Sequence, residues 1–322
     1  MIVRIFSTNR IYILTFLPLV LMVLAIGAYF DAGLPSFEGQ LSIFKGPIAY
    51  FNSHRILAFT CTTGLIVAQA YYLTRICDQL RLFDQSSHLP AFVLTISYAL
   101  FGDLIVLSPV HFAILFLVMA LERLLQIYNQ TNVKGLLFRA GFYIGLATMF
   151  FKPSAIFILI LFYHLNVFRT FNWREHLIPV LAWTTPVFYV FAAFFITGST
   201  GKFVQWAFNR SQFYGNRDFT MFDWPGPLIF LFILIGALFH LFSSGSKRTI
   251  RINNLYKVIT AGFLVCAIFL LTYPPDFLSV FALSLPFLSI LLSHYLLSLR
   301  KNWWREFLIY LFIGSVMLRV FS

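Results

Sequence analysis

Apolar runs of membrane-spanning length recur along this chain, and no water-soluble fold absorbs so many of them. A helix needs about 20 predominantly apolar residues to cross the hydrocarbon layer. On that ruler, runs fall at 11–30, 56–74, 89–106, 109–124, 137–151, 154–168, 177–197, 226–243, 257–273, 277–296 and 306–320. About eleven spans are expected. Composition agrees: 60% of residues are hydrophobic and 11% charged, with a mean hydropathy of +0.85. Soluble domains are nearer about half apolar and about a quarter charged. The solvent must therefore be the lipid bilayer, and a soluble enzyme is excluded. The net charge of +12 is scattered between the apolar runs rather than gathered into a patch, so no nucleic-acid partner is expected.

Arg4 and Arg10 precede the first run in "MIVRIFSTNR", and no small-residue cleavage site closes that run. An uncleaved signal-anchor is the expectation. Placing the N-terminus in the cytoplasm puts most of the 23 Lys and Arg residues in cytoplasmic connections, from Arg75 and Arg81 to Lys301 and Arg305. The basic balance thus reads as an orientation signal of an inner-membrane protein. Pro109 and Pro153 divide the two longest apolar stretches into pairs, because proline removes a backbone donor and disfavours helix just before it. Each stretch should form a tight helical hairpin. Two outer loops are long, 31–55 and 198–226. The second mixes Trp206, Phe208, Tyr214 and Trp224 with Lys202, Arg210 and Arg217. It suits a partly helical belt along the headgroup layer.

"AYFDAGLPSFEGQ" places Asp31 and Glu38 on the outer side, just past the first span. A carboxylate there can orient or deprotonate the acceptor in a glycosyl transfer. The same two acids also suit the solvated lip of a span. Asp103 lies within "SYALFGDLIVLSP", where an isolated charge is costly. Lys152, at the tip of the next hairpin, is its expected partner. Lys152 or His111 would meet a phosphate if a polar cavity opens there, while Lys202, Arg210 and Arg217 suit a lipid phosphate or anionic headgroups in general. The seven histidines contain no HxxH or HxxxH pair, and the three cysteines no CxxC pair. No metal site or cofactor is indicated, although carboxylates at a donor phosphate are compatible with a divalent ion.

Residues from about Leu73 to Pro186 resemble an uncharacterised family of bacterial multi-pass membrane proteins, a domain of unknown function. The likeness lies in "GFYIGLATMFFKPSAIFILILF" and "FRTFNWREHLIPVLAWTTP". A looser resemblance is to the C-superfamily of integral membrane glycosyltransferases. It is carried by one span followed by an acidic outer loop, by the paired hairpins at 89–123 and 137–168, and by "GLATMFFKPSA". That resemblance implies a polyprenyl-phosphate sugar as donor, with Asp31 first and Glu38 second as catalytic base.

The expected fold is therefore all-α, a polytopic transmembrane bundle of about eleven spans in a single domain over 1–322, glycosyltransferase C-like. Two functions stay open. One is a lipid-linked sugar transferase at the outer face. The other is a non-catalytic subunit or scaffold of a cell-envelope assembly, with envelope proteins as partners. A transporter ranks behind both, because polar residues gather at the span ends rather than at a midplane.

Overall fold

The computed structural model describes residues 16–19, 42–83, 86–128, 130, 132–169, 172–208, 225–243, 249–272, 277–299 and 301–320. Among the described residues every regular element is helical. In chain order these are α1 (Ser42–Ser53), α2 (Arg55–Leu80), α3 (Leu89–Leu100), α4 (Pro109–Leu125), α5 (Lys134–Phe150), α6 (Phe157–Phe168), α7 (Trp173–Ile196), α8 (Thr200–Phe208), α9 (Pro225–Ser243), α10 (Ile250–Thr272), α11 (Phe277–Ser298) and α12 (Asn302–Val320). Short 3-10 turns, Gly102–Ile105 and Lys152–Ile156, follow α3 and α5.

Local chemistry sets several boundaries. Pro109 opens α4, where its missing N–H is one of the donors a helix start leaves unpaired anyway. Asn172 caps α7 by accepting the Arg174 backbone N–H at 3.2 Å, and Glu175 adds negative charge to that first turn. α2 ends at Arg81, which adopts the left-handed region with φ 49°.

Among the described residues, four helices are long and apolar enough to cross a membrane: α2, α7, residues 250–270 of α10, and α11. The expectation of about eleven comparable spans is met only in part. The difference lies in the hairpins. The expected span 89–106 is a 12-residue helix that gives way to a 3-10 turn, and 154–168 likewise begins within one. Twelve residues of α-helix cover about 18 Å, against a hydrocarbon core of about 30 Å. Segment 31–55 also differs from a plain loop, because its part 42–53 is helix α1. Of the expected first span, only 16–19 are described, and they are helical.

α11 is the central post. In its most apolar stretch 78% of residues are buried, and α3, α4, α9 and α10 pack around it. Every residue of α3 is buried between α2, α11 and α12. A short helix within a membrane bundle is tolerable on this condition, since its irregular end must be shielded by protein rather than by lipid. α5 and α7 run side by side in the same direction. A Cβ at Gly141 would lie 2.5 Å from the Pro179 carbonyl oxygen, and one at Gly145 would lie 2.6 Å from that of Trp183. The four-residue glycine spacing thus lets two backbones touch, and close van der Waals packing follows. The Trp183 indole N–H fixes the register by donating to Thr148 Oγ1 at 3.1 Å.

Candidate functional site

The two 3-10 breaks lie at the same end of the bundle, as the Phe112–Phe150 ring stack across α4 and α5 shows. At the first break, side chains take over the work of the lost helix. The Asn52 amide donates to the Leu107 carbonyl at 3.1 Å. His111 Nε2 lies 3.1 Å from the Val106 carbonyl oxygen, which can only accept, so Nε2 carries the proton. Gln69 donates to the His111 carbonyl at 2.8 Å and accepts from the Tyr98 hydroxyl at 2.8 Å. All four of these side chains are buried. They hold the non-helical backbone of 101–108 with paired polar groups, which the interior requires.

Lys152 begins the second break. Its ammonium donates to the Trp206 carbonyl at 2.6 Å and stands 5.7 Å from the Trp206 ring centroid. Trp206 belongs to α8, which docks through Phe203 and Trp206 on Phe194 and Met149. The carbonyls of a last helical turn lack intrahelical partners, and a cation there is favourable. The half-buried lysine is desolvated, and burial lowers its pKa from the ordinary lysine value. A cation held in this state gains most from an anionic partner, since electrostatic attraction strengthens where water is thin.

The remaining sequence candidates divide as follows. Lys202 stands exposed on α8, on the same short helix as Trp206. His111 is fully buried and bound to the break, away from the surface. The backbone of Asp103 lies in the first 3-10 turn, whereas its side chain is outside the described residues, and so is the expected Asp103–Lys152 contact. Asp31, Glu38, Arg210 and Arg217 are likewise outside the described residues.

The opposite end carries a cluster that sequence reasoning missed. Glu122, only 2% exposed, lies 3.5 Å from Arg75 Nε and 3.6 Å from Arg123 Nη2. Arg123 donates to Gln126, and Gln126 donates to Gln79, which ties α4 back to α2. Neither Glu122 oxygen accepts a hydrogen bond, so charge alone compensates its burial. The available signal was "ALERLL", an acid inside an apolar run. Arg169 makes a related clasp, pairing with Glu175 at 3.1 Å and donating to the Gln130 carbonyl.

Residues 41–322 match the model of a family of unknown function, DUF6427. The chain belongs to that family. No curated protein and no solved structure matches it. The DUF6427 match takes in both breaks, Lys152 and α8, while Asp31 and Glu38 precede it. Four described helices of this DUF6427 chain have the length and apolar composition of membrane spans.

Proposed function

We propose that this protein is a lipid-linked sugar transferase of the bacterial inner membrane, taking a polyprenyl-phosphate sugar at the outer face. Lys152 carries the reading. Its desolvated ammonium sits where a membrane bundle meets its surface helix, the place where a lipid phosphate would arrive. Lys202 on α8, with Arg210 and Arg217 further along the same segment, would hold the anionic headgroup. His111 positions the break that carries Asp103. Asp31 serves as base, with Glu38 second. A divalent ion is compatible with these carboxylates and is not required by any described residue. The N-terminus is cytoplasmic in this reading.

Deleting the gene and profiling surface glycans by mass spectrometry tests it. Wild type should restore a lost glycan, and Asp31→Asn at matched membrane levels should not. Full rescue by Asp31→Asn overturns the assignment.

One observation favours the scaffold reading. Two gaps in the bundle are small and apolar, about 20 Å³ beside Phe230 and Phe312 and about 10 Å³ beside Phe157 and Phe287. A protein that only holds others in place needs tight packing of this kind. Unchanged glycans on deletion, with an altered set of co-purifying envelope proteins, would favour it.

A further inference from the structure

The chain repeats itself at the start of two helices. Residues 169–178, "RTFNWREHLI", and 300–309, "RKNWWREFLI", are identical at six of ten positions. The likeness extends upstream. Ala140-Gly141-Phe142 on α5 and Ala261-Gly262-Phe263 on α10 each begin thirteen residues before a proline, Pro153 and Pro274. Both glycines are closely packed. A Cβ at Gly141 would lie 2.5 Å from the Pro179 carbonyl oxygen, and one at Gly262 would lie 2.5 Å from the Phe287 ring. The triples α5–α6–α7 and α10–α11–α12 thus carry the same marks in the same order.

We infer that the two copies are paired seats for anionic phospholipid headgroups. One seat is Trp173 with Arg174 on α7. The other is Trp303 and Trp304 with Lys301 and Arg305 at the start of α12. Both lie at the end of the bundle opposite Lys152. Arg169 reaches the Gln130 carbonyl beyond α4. Tyr256 packs on His294 in the last turns of α11 and donates to the Leu82 carbonyl just past α2.

Trp173 is 59% exposed and Trp303 67%. An indole has too much apolar surface for water and an N–H that hydrocarbon leaves unpaired, so the headgroup layer suits it. Exposed apolar side chains continue from each seat, Leu177, Leu181 and Phe188 along α7 and Phe307 and Tyr310 along α12. That flank favours lipid over a soluble protein as the occupant. Charge then selects the lipid. Glu175 pairs with Arg169 at 3.1 Å, which neutralises the acid that would repel a phosphate. Arg174 stays exposed, its guanidinium 5.6 Å from the Trp173 ring centroid. In the second copy Arg300, Lys301 and Arg305 outnumber Glu306, and Trp303 stacks on Phe307 at 5.6 Å. A guanidinium beside an indole is a flat cation whose donors match phosphate oxygens. Surplus positive charge favours phospholipids without a cation of their own. The seats stand independently of the transferase reading.

Full-length protein in nanodiscs of phosphatidylcholine with a minor share of phosphatidylglycerol gives the test. Bromine, which quenches tryptophan on contact, is carried either by the phosphatidylglycerol or by an equal amount of the phosphatidylcholine. Quenching by the anionic lipid should report an enrichment of about fivefold, the scale of one basic residue near an anionic surface. Arg174→Gln and the Lys301→Gln/Arg305→Gln double variant should each remove part of the excess. Arg139→Gln, an exposed cation on α5, should remove none. Equal quenching by the two labels in wild type overturns the seats, even where a variant fails to fold. An excess that survives both substitutions overturns them as well, and so does an equal loss from Arg139→Gln.

Discussion

At the residue scale, the buried amide of Gln69 decides how the first break is held. It joins α2 to Tyr98 on α3 and to the His111 carbonyl on α4. Gln69→Leu breaks both bonds, and the loss should be about 1–3 kcal/mol in a buried setting. Tyr98→Phe breaks one of them and should cost about half as much. Thermal unfolding in detergent, with both variants side by side, checks the order. Glu122→Gln should also destabilise, by less than the roughly 3–5 kcal/mol seen for fully buried pairs, because Arg75 is 42% exposed. Gln69 and Glu122 were visible in the sequence as polar interruptions of apolar runs. Their partners Tyr98, His111 and Arg75 were not, because they sit on other helices and no spacing rule reaches across a fold.

At the element scale, the pairing of α5 with α7 depends on two missing side chains. Gly141→Ala puts a methyl group against the Pro179 backbone, which cannot swing aside as a side chain would. The expected loss is on the order of 1–3 kcal/mol. Gly135→Ala, in the first turn of the same helix, meets nothing within 4 Å and should be neutral or slightly favourable. Equal effects at the two positions would contradict the packing. Helix α8 depends on Lys152, so Lys152→Met should loosen it. A cysteine at Gln205 would then label faster than in the wild-type background. The breaks themselves were legible, since Pro109 and Pro153 mark both, but α3 packs on α2, α11 and α12 rather than folding back on α4 as a tight hairpin. The helix lengths were not legible, because hydropathy runs unbroken through a 3-10 turn. "FGDLIVLSP" stays apolar enough to read as continuous span while its backbone has already left the helix.

At the scale of the whole molecule, composition alone fixed the membrane as solvent, and the described helices agree with it. Orientation rests on the scatter of Lys and Arg and makes a sharp prediction. Lys202 and Lys301 lie at opposite ends of the bundle, one on α8 and the other just past α11. In a background without Cys61, Cys77 and Cys266, a membrane-impermeant maleimide should label Lys202→Cys in intact cells. It should reach Lys301→Cys only after permeabilisation. The reverse pattern would move Lys152 to the cytoplasmic face and remove the outer-face reading. The function was the least legible level. Its candidate acids, Asp31 and Glu38, precede both the family match and the described bundle, and a loop acid carries no geometry until its neighbours are placed.

The most direct measurement is binding of a polyprenyl phosphate to purified protein in lipid nanodiscs, comparing wild type with Lys152→Gln. The account predicts saturable binding that neutral polyprenol does not compete away and that falls about tenfold on loss of the ammonium, the scale of a charge-assisted hydrogen bond. Equal binding by the two proteins, or none by the wild type, would contradict it.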